Sequence, residues 1–215
     1  SFNRFQANYR RYYKMRSLRD TVFAASFTLG LANLFNPLDR DGNGSIDEID
    51  RTLPISERVF SGGSTTLRGF NFEEAGPREV VIPLGEFRDQ NKDVVFLNPF
   101  TVPVGGNALA VVNLEARVML TRLVQVVPFY DGGNVFRRVG DLFGKPDTTP
   151  VPPGDMLAAI NQHNLQAHWT HTVGLGFRVQ TPLGGALAVD YGFLLNPPEF
   201  LIPQRGPGGI LFDGT

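Results

Sequence analysis

Hydrophobic residues recur at every second position in six separated stretches of this chain. Residues 1–14 place Phe5, Ala7 and Tyr9 on one parity and Arg4, Gln6, Asn8 and Arg10 on the other, the period of a strand with one wet face. Residues 21–34 repeat it, with Phe23, Ala25, Phe27, Leu29 and Leu31 opposite Ala24, Ser26, Thr28 and Gly30. In 110–120 the charged or polar Asn113, Glu115 and Arg117 face away from Ala110, Val112, Leu114, Ala116, Val118 and Leu120. In 123–131 Gln125 and Asp131 share a parity against Val124, Val126 and Tyr130. Residues 168–180 set Trp169, Val173, Leu175, Phe177 and Val179 against Thr170, Thr172, Gly174, Gly176, Arg178 and Gln180. Residues 186–195 set Leu187, Val189, Tyr191, Phe193 and Leu195 against Ala186, Ala188, Asp190 and Gly192. These stretches predict an all-β, antiparallel architecture.

The predicted connections are unequal. Residues 121–123 and 181–185 are tight, whereas 36–107 and 138–166 are long, polar and rich in Gly, Pro and Asp. Short turns at one end and long loops at the other describe an outer-membrane barrel, whose strands of about ten residues give no strong hydropathy peak. Alternation alone fits a soluble β-sandwich equally well. No run of eighteen apolar residues exists, so no helical membrane span is expected.

Composition supports strands and turns: Gly 24, Pro 16 and Phe 18 with 42% hydrophobic residues disfavour long helices. With 20 basic and 21 acidic residues the net charge is −1, so no general attraction for nucleic acid or anionic lipid is expected. The chain has no cysteine, which removes disulfides, thiolate metal sites and cysteine nucleophiles together. Ser61 and Ser64 flank Gly62-Gly63 outside any G-x-S-x-G pattern. His163, His168 and His171 match no common catalytic metal spacing, and His168 and His171 have opposite parity on one strand. No enzymatic chemistry is expected from these residues. Trp169, Tyr9, Tyr12 and Tyr13 lie near strand ends and are candidates for an interfacial aromatic girdle.

Residues 39–50, Asp39-Arg-Asp-Gly-Asn-Gly-Ser-Ile-Asp-Glu-Ile-Asp50, match the D-x-[DN]-x-[DN]-G calcium loop. Asp39, Asp41 and Asn43 would bind Ca2+ by side chain and Ser45 by its carbonyl, with Asp47 and Asp50 at the ninth and twelfth positions. Aspartate at the twelfth position, where glutamate is usual, makes bidentate closure harder and the site weaker. No amphipathic helices flank it, so an isolated calcium loop is expected.

The segment Pro54-Ile-Ser-Glu-Arg-Val-Phe-Ser-Gly-Gly-Ser-Thr-Thr-Leu-Arg-Gly-Phe70 is followed by Gly76-Pro77 and Gly105-Gly106-Asn107. Asn113-Leu-Glu-Ala-Arg117, Val127-Pro-Phe-Tyr-Asp-Gly-Gly-Asn-Val-Phe136, Val173-Gly-Leu-Gly-Phe-Arg-Val-Gln-Thr-Pro-Leu-Gly184 and Leu187-Ala-Val-Asp-Tyr-Gly192 come after it. In this order the motifs resemble the bacterial surface-antigen β-barrel superfamily, which contains the BamA and TamA assembly factors and the two-partner-secretion translocators and is marked by a [VL]-R-G-[FY] loop after a G-G. The resemblance covers nearly the whole chain. It implies that residues 1–215 are the C-terminal portion of a transmembrane antiparallel barrel of about sixteen strands, with sequence missing at both ends. Residues 36–107 would be a long extracellular loop that carries the calcium-type loop 39–50 and the segment 60–77.

The resemblance further implies that segment 60–77 folds back into the lumen, where Arg68 meets Glu115 and Asp131 on the inner wall, with Gly69 and Phe70 completing the motif. A planar guanidinium can bind a carboxylate bidentately, so lysine at 68 should be a poor substitute. Gly69 is expected to let the backbone bend tightly. The segment has few apolar residues, so its position is expected to rest on polar contacts alone. The lipid-facing set is expected to include Phe23, Phe27, Leu29, Val112, Leu114, Val118, Val173, Leu175 and Phe177. The implied function is a non-enzymatic factor of the bacterial outer membrane that inserts client barrels, with secretion of unfolded polypeptides as the alternative. Its partners would be the outer-membrane bilayer, client outer-membrane or secreted polypeptides, and periplasmic or lipoprotein accessory subunits.

Overall fold

Alternating sequence of this kind can bury one face of a strand against protein and present the other to an apolar medium, and the chain builds one large sheet on that principle. The computed structural model describes residues 1–17, 21–35, 37, 44, 52–85, 95–96, 98–144, 156–181, 184–205 and 211–212. Six long strands form the sheet: β1 (Phe2–Met15), β2 (Thr21–Leu34), β7 (Ala108–Met119), β8 (Val124–Phe136), β9 (Thr170–Gln180) and β10 (Ala186–Leu194). They lie in the order β1-β2-β7-β8-β9-β10, every neighbouring pair antiparallel. All six expected strands are present. β8 runs five residues beyond its expected end at Asp131 because Gly132 and Gly133 continue the ladder rather than turning the chain.

Four short strands occupy the long connection between β2 and β7. β3 (Arg78–Val81) pairs with β6 (Phe100–Pro103), and β4 (Leu84–Gly85) pairs with β5 (Val95–Phe96). The connection between β8 and β9 holds a helix, α1 (Met156–Asn164), which packs on β3 through the Val80 N–H donating to Asn161 Oδ1 at 3.0 Å. After β10, Asn164 anchors the chain by a reciprocal pair of hydrogen bonds with the Leu201 backbone. β11 (Gln204–Arg205) and β12 (Leu211–Phe212) form a final small pair. The calcium-type loop 39–50 lies outside the described residues apart from Gly44.

Register assigns the two faces. The outward row Tyr9, Phe27, Val112, Gly132, His171 alternates with inward rows such as Tyr12, Ala24, Glu115, Phe129, Gly174, Gly192. Phe23, Phe27, Leu114, Val173, Leu175 and Phe177 stand on the outward parity and remain exposed in the isolated sheet. Leu29, Val112 and Val118 share that parity and are half-buried. Near the long-connection end the outward face is covered, since Val139, Leu142 and Ala167 pack over Ala108, Ala110 and Phe136. Tyr12 departs from expectation: it pairs with Ala24 on the inward parity, and the Arg117 guanidinium lies 5.6 Å from its ring centroid. Two adjacent tyrosines on a strand point to opposite faces, so Tyr13, not Tyr12, belongs with the outward Tyr9.

Candidate functional site

Segment 60–77 returns along the inward face; a bridge from Val59 to Gly106 holds the chain where it enters, and one from Ser61 to Ala75 closes the loop on itself. Gly62 has φ +122 and Gly76 has φ +108, a region that side chains beyond glycine enter only with strain. A Cβ on Gly62 would overlap the Asn71 carbonyl, and one on Gly76 would stand 2.7 Å from Val135 Cβ. The glycines of the motif therefore close the loop and let it lie on the wall.

Arg68 is the centre of the contact. Its Nε–H donates to Asp131 Oδ2 at 2.8 Å and its NH2 to Asp131 Oδ1 at 2.6 Å, a bidentate fork, while its backbone N–H donates to the same Oδ2 at 3.1 Å. NH1 donates to Glu115 Oε1 at 2.7 Å. The guanidinium lies over Phe129, its Cζ 3.5 Å from the ring centroid. Its side chain is 5% exposed, Asp131 is fully buried and Glu115 is 16% exposed. Burial works to lower the Arg68 pKa, but its bonds to Asp131 and the attraction of Asp131 and Glu115 outweigh it and raise the value. The group stays charged, and three of its five side-chain N–H donors, together with its backbone N–H, are bonded to the two carboxylates.

Expected partners and found partners coincide for Arg68, Glu115 and Asp131, and the register brings further residues to them. Arg117 donates from Nε to Glu115 Oε2 at 2.9 Å. Asn113 Nδ2 donates to Asp131 Oδ1 at 2.8 Å within the wall and to the Thr66 carbonyl at 2.6 Å, which ties the wall to the loop. Asp190 approaches Arg68 NH1 at 3.9 Å and is itself held bidentately by Arg178 at 2.5 and 2.8 Å. Arg68, Arg117 and Arg178 thus balance Glu115, Asp131 and Asp190. A neutral, hydrogen-bonded network tolerates burial far better than a lone ion pair.

Gly69 lies in the expected tight turn, which the Phe70 N–H closes by donating to the Leu67 carbonyl at 3.1 Å. It bends without a positive φ and also allows close approach, because a Cβ there would overlap Thr172 Oγ1 and come within 3.2 Å of Leu194 Cδ1. One expectation is corrected: segment 60–77 is not held by polar contacts alone. Leu67 and Ala75 are fully buried and, with Val59 and Phe70, pack on Leu109, Val111 and Val135 of the wall. The inward parity of β7 becomes apolar beyond Asn113, so the wall supplies the hydrophobic surface that the loop's own composition lacks. Gly174 and Gly192 were visible only as small residues on the polar parity. In the fold they are recesses: a Cβ at Gly174 would overlap the Phe129 ring, and one at Gly192 would stand 2.8 Å from the Arg68 carbonyl.

The arrangement fixes a connection segment on the inward face of the sheet. The Omp85 superfamily domain model matches residues 1–201 of the chain. Among solved structures, BamA from Haemophilus ducreyi lacking POTRA domains 1–3 is similar, with a TM-score of 0.57 and 17% sequence identity. The similarity covers 99% of this chain and 34% of that one, so the chain spans about a third of the length of the BamA chain it resembles.

Proposed function

The chain belongs to the Omp85 superfamily, and from that premise we propose that it is part of the barrel of a bacterial outer-membrane factor that helps client β-barrels enter the membrane without enzymatic chemistry. The observation that carries the reading is the Arg68 fork on Asp131 and Glu115, because a network this buried has no use in a sheet that only fills a membrane. A loop fixed inside the barrel keeps the lumen occupied and braces β7 to β10 from within. The fold similarity to BamA supports a barrel of this kind, and experiment separates assembly from secretion of unfolded polypeptides. The test uses the full-length protein in proteoliposomes, offered either a client barrel or a secreted polypeptide. Faster appearance of the folded, heat-modifiable client is expected, with the gain lost in Arg68→Ala while the protein itself stays folded. Passage of the secreted polypeptide without any effect on client folding would overturn the reading in favour of secretion.

We further propose that Asp39, Asp41 and Asn43, with Ser45, Asp47 and Asp50, hold Ca2+ in the long connection, on the strength of their spacing. Affinity in the range of about 10⁻⁴–10⁻³ M is expected, the range of extracellular calcium modules. Calorimetric titration of the full-length protein should show one site that Asp41→Ala abolishes; an identical heat signature in wild type and variant would remove the claim.

A further inference from the structure

Among the described residues, the outward parity of the six long strands carries a single Asp, Glu, Lys or Arg: Arg11. Its side chain has no ion pair or hydrogen bond to any described residue. A charge facing hydrocarbon costs several kcal/mol unless it reaches the interface or finds a counter-ion. Arg11 sits between Tyr9 and Tyr13 on the same face, both more than half exposed, and tyrosines of that kind mark the headgroup level. It also borders an outward groove of about 490 Å³, a volume in the range of about 300–1,000 Å³ typical of small-molecule sites.

The groove has a physical origin. Its floor is made of the small residues Ala25 and Ala116, and its walls include Phe23, Leu114 and Tyr130. Pro128 also lines it, opposite Ala116, where the β7–β8 ladder is interrupted because proline supplies no N–H. The lining of the hollow is mostly apolar, and Arg11 is its one basic residue. An apolar slot with one unpartnered cation at its interfacial rim matches an amphiphile with one anionic head and a long chain.

Resting on the reading that this face meets a bilayer, we propose that Arg11 and the groove floored by Ala25 and Ala116 bind one anionic phospholipid, its phosphate on Arg11 and an acyl chain in the groove. Each basic residue near an anionic headgroup contributes about 1 kcal/mol, so the wild type should prefer phosphatidylglycerol over phosphatidylcholine by about fivefold. The experiment places the full-length protein in nanodiscs of mixed phosphatidylglycerol and phosphatidylcholine and reads retained lipid by native mass spectrometry. Arg11→Gln should abolish the preference while leaving a lipid bound. Ala116→Leu, which fills the floor, should lose the retained lipid whatever its head. Unchanged preference in Arg11→Gln, or unchanged retention in Ala116→Leu, overturns the proposal. So does an Arg11→Gln variant whose barrel melts lower by the same amount in both lipids, since that would place Arg11 against a carboxylate of the protein itself. A wild type that inserts into the bilayer and accelerates client folding yet retains no lipid sinks this site alone; failure to insert sinks the membrane reading with it.

Discussion

Toward the long-connection end of the inner wall, Val59, Leu67 and Ala75 press on Leu109, Val111 and Val135; further along the same strands Arg68, the next residue after Leu67, lies among Glu115, Asp131 and Phe129. The two contacts hold one segment by different physics. Apolar burial is non-directional and scales with area, so it draws the loop to the wall without choosing a register. The fork on Asp131 is directional and buried, and it is satisfied only when the Arg68 backbone and side chain both reach the same carboxylate. Adhesion thus comes from one stretch and position from the other. If that division is right, damage to each should look different.

Asp131→Ala should have the largest effect. It leaves an arginine that is 5% exposed facing Glu115 and, at 3.9 Å, Asp190, and strands one Asn113 donor. Losing one partner of a buried pair costs about 3–5 kcal/mol. Amide exchange across residues 60–77 in the full-length protein should accelerate by more than about a hundredfold while the strand amides stay protected. Unchanged exchange would mean that packing alone sets the position.

Leu67→Ala comes next, at about 2–4 kcal/mol, the usual range for emptying a buried leucine site. Its signature should differ in kind. The loop should open more often, but the closed state should keep the same Arg68 contacts, so cross-linking between cysteines placed in the loop and on β8 should fall in yield without shifting partner. A change of partner would show that Leu67, not Arg68, selects the register.

Much of this is legible in the sequence. Alternation located six strands because each has one face that must be apolar and one that must not, and the same parity placed Glu115 and Asp131 on one side. The [VL]-R-G-[FY] resemblance then supplied the partner. What stayed hidden depended on two elements meeting. Leu109, Val111 and Val135 looked like ordinary strand residues until Leu67 and Ala75 covered them. Asp190 and Arg178 shared the right parity, yet only the β9–β10 register, which offsets them by two positions, makes them bond diagonally. Gly174 and Gly192 gave no signal as recesses because the side chain and carbonyl that fill them come from other segments. Helix α1 lay in a connection read as loop, being nine residues long and held by Asn161 and Asn164 rather than by an apolar stripe.

The smallest effect expected is that of Glu115→Gln, and it bears most directly on the division of labour. Glu115 accepts from Arg68 through one oxygen and from Arg117 through the other, and at 16% exposure it is the more hydrated of the two carboxylates. Glutamine keeps an acceptor for Arg68 but turns an amide N–H₂ toward Arg117, so a cost near 1 kcal/mol is expected, between a neutral and a charged hydrogen bond. If Arg117 is the partner that suffers, combining Glu115→Gln with Arg117→Ala should cost less than the sum of the two, and raising the salt concentration should shrink the difference because Arg117 is 39% exposed. Exchange in residues 60–77 should rise by less than about tenfold. Opening as large as that of Asp131→Ala would mean that the loop responds to the net charge of the wall rather than to the geometry of one fork, and Arg68→Lys would then restore most of what Arg68→Ala removes.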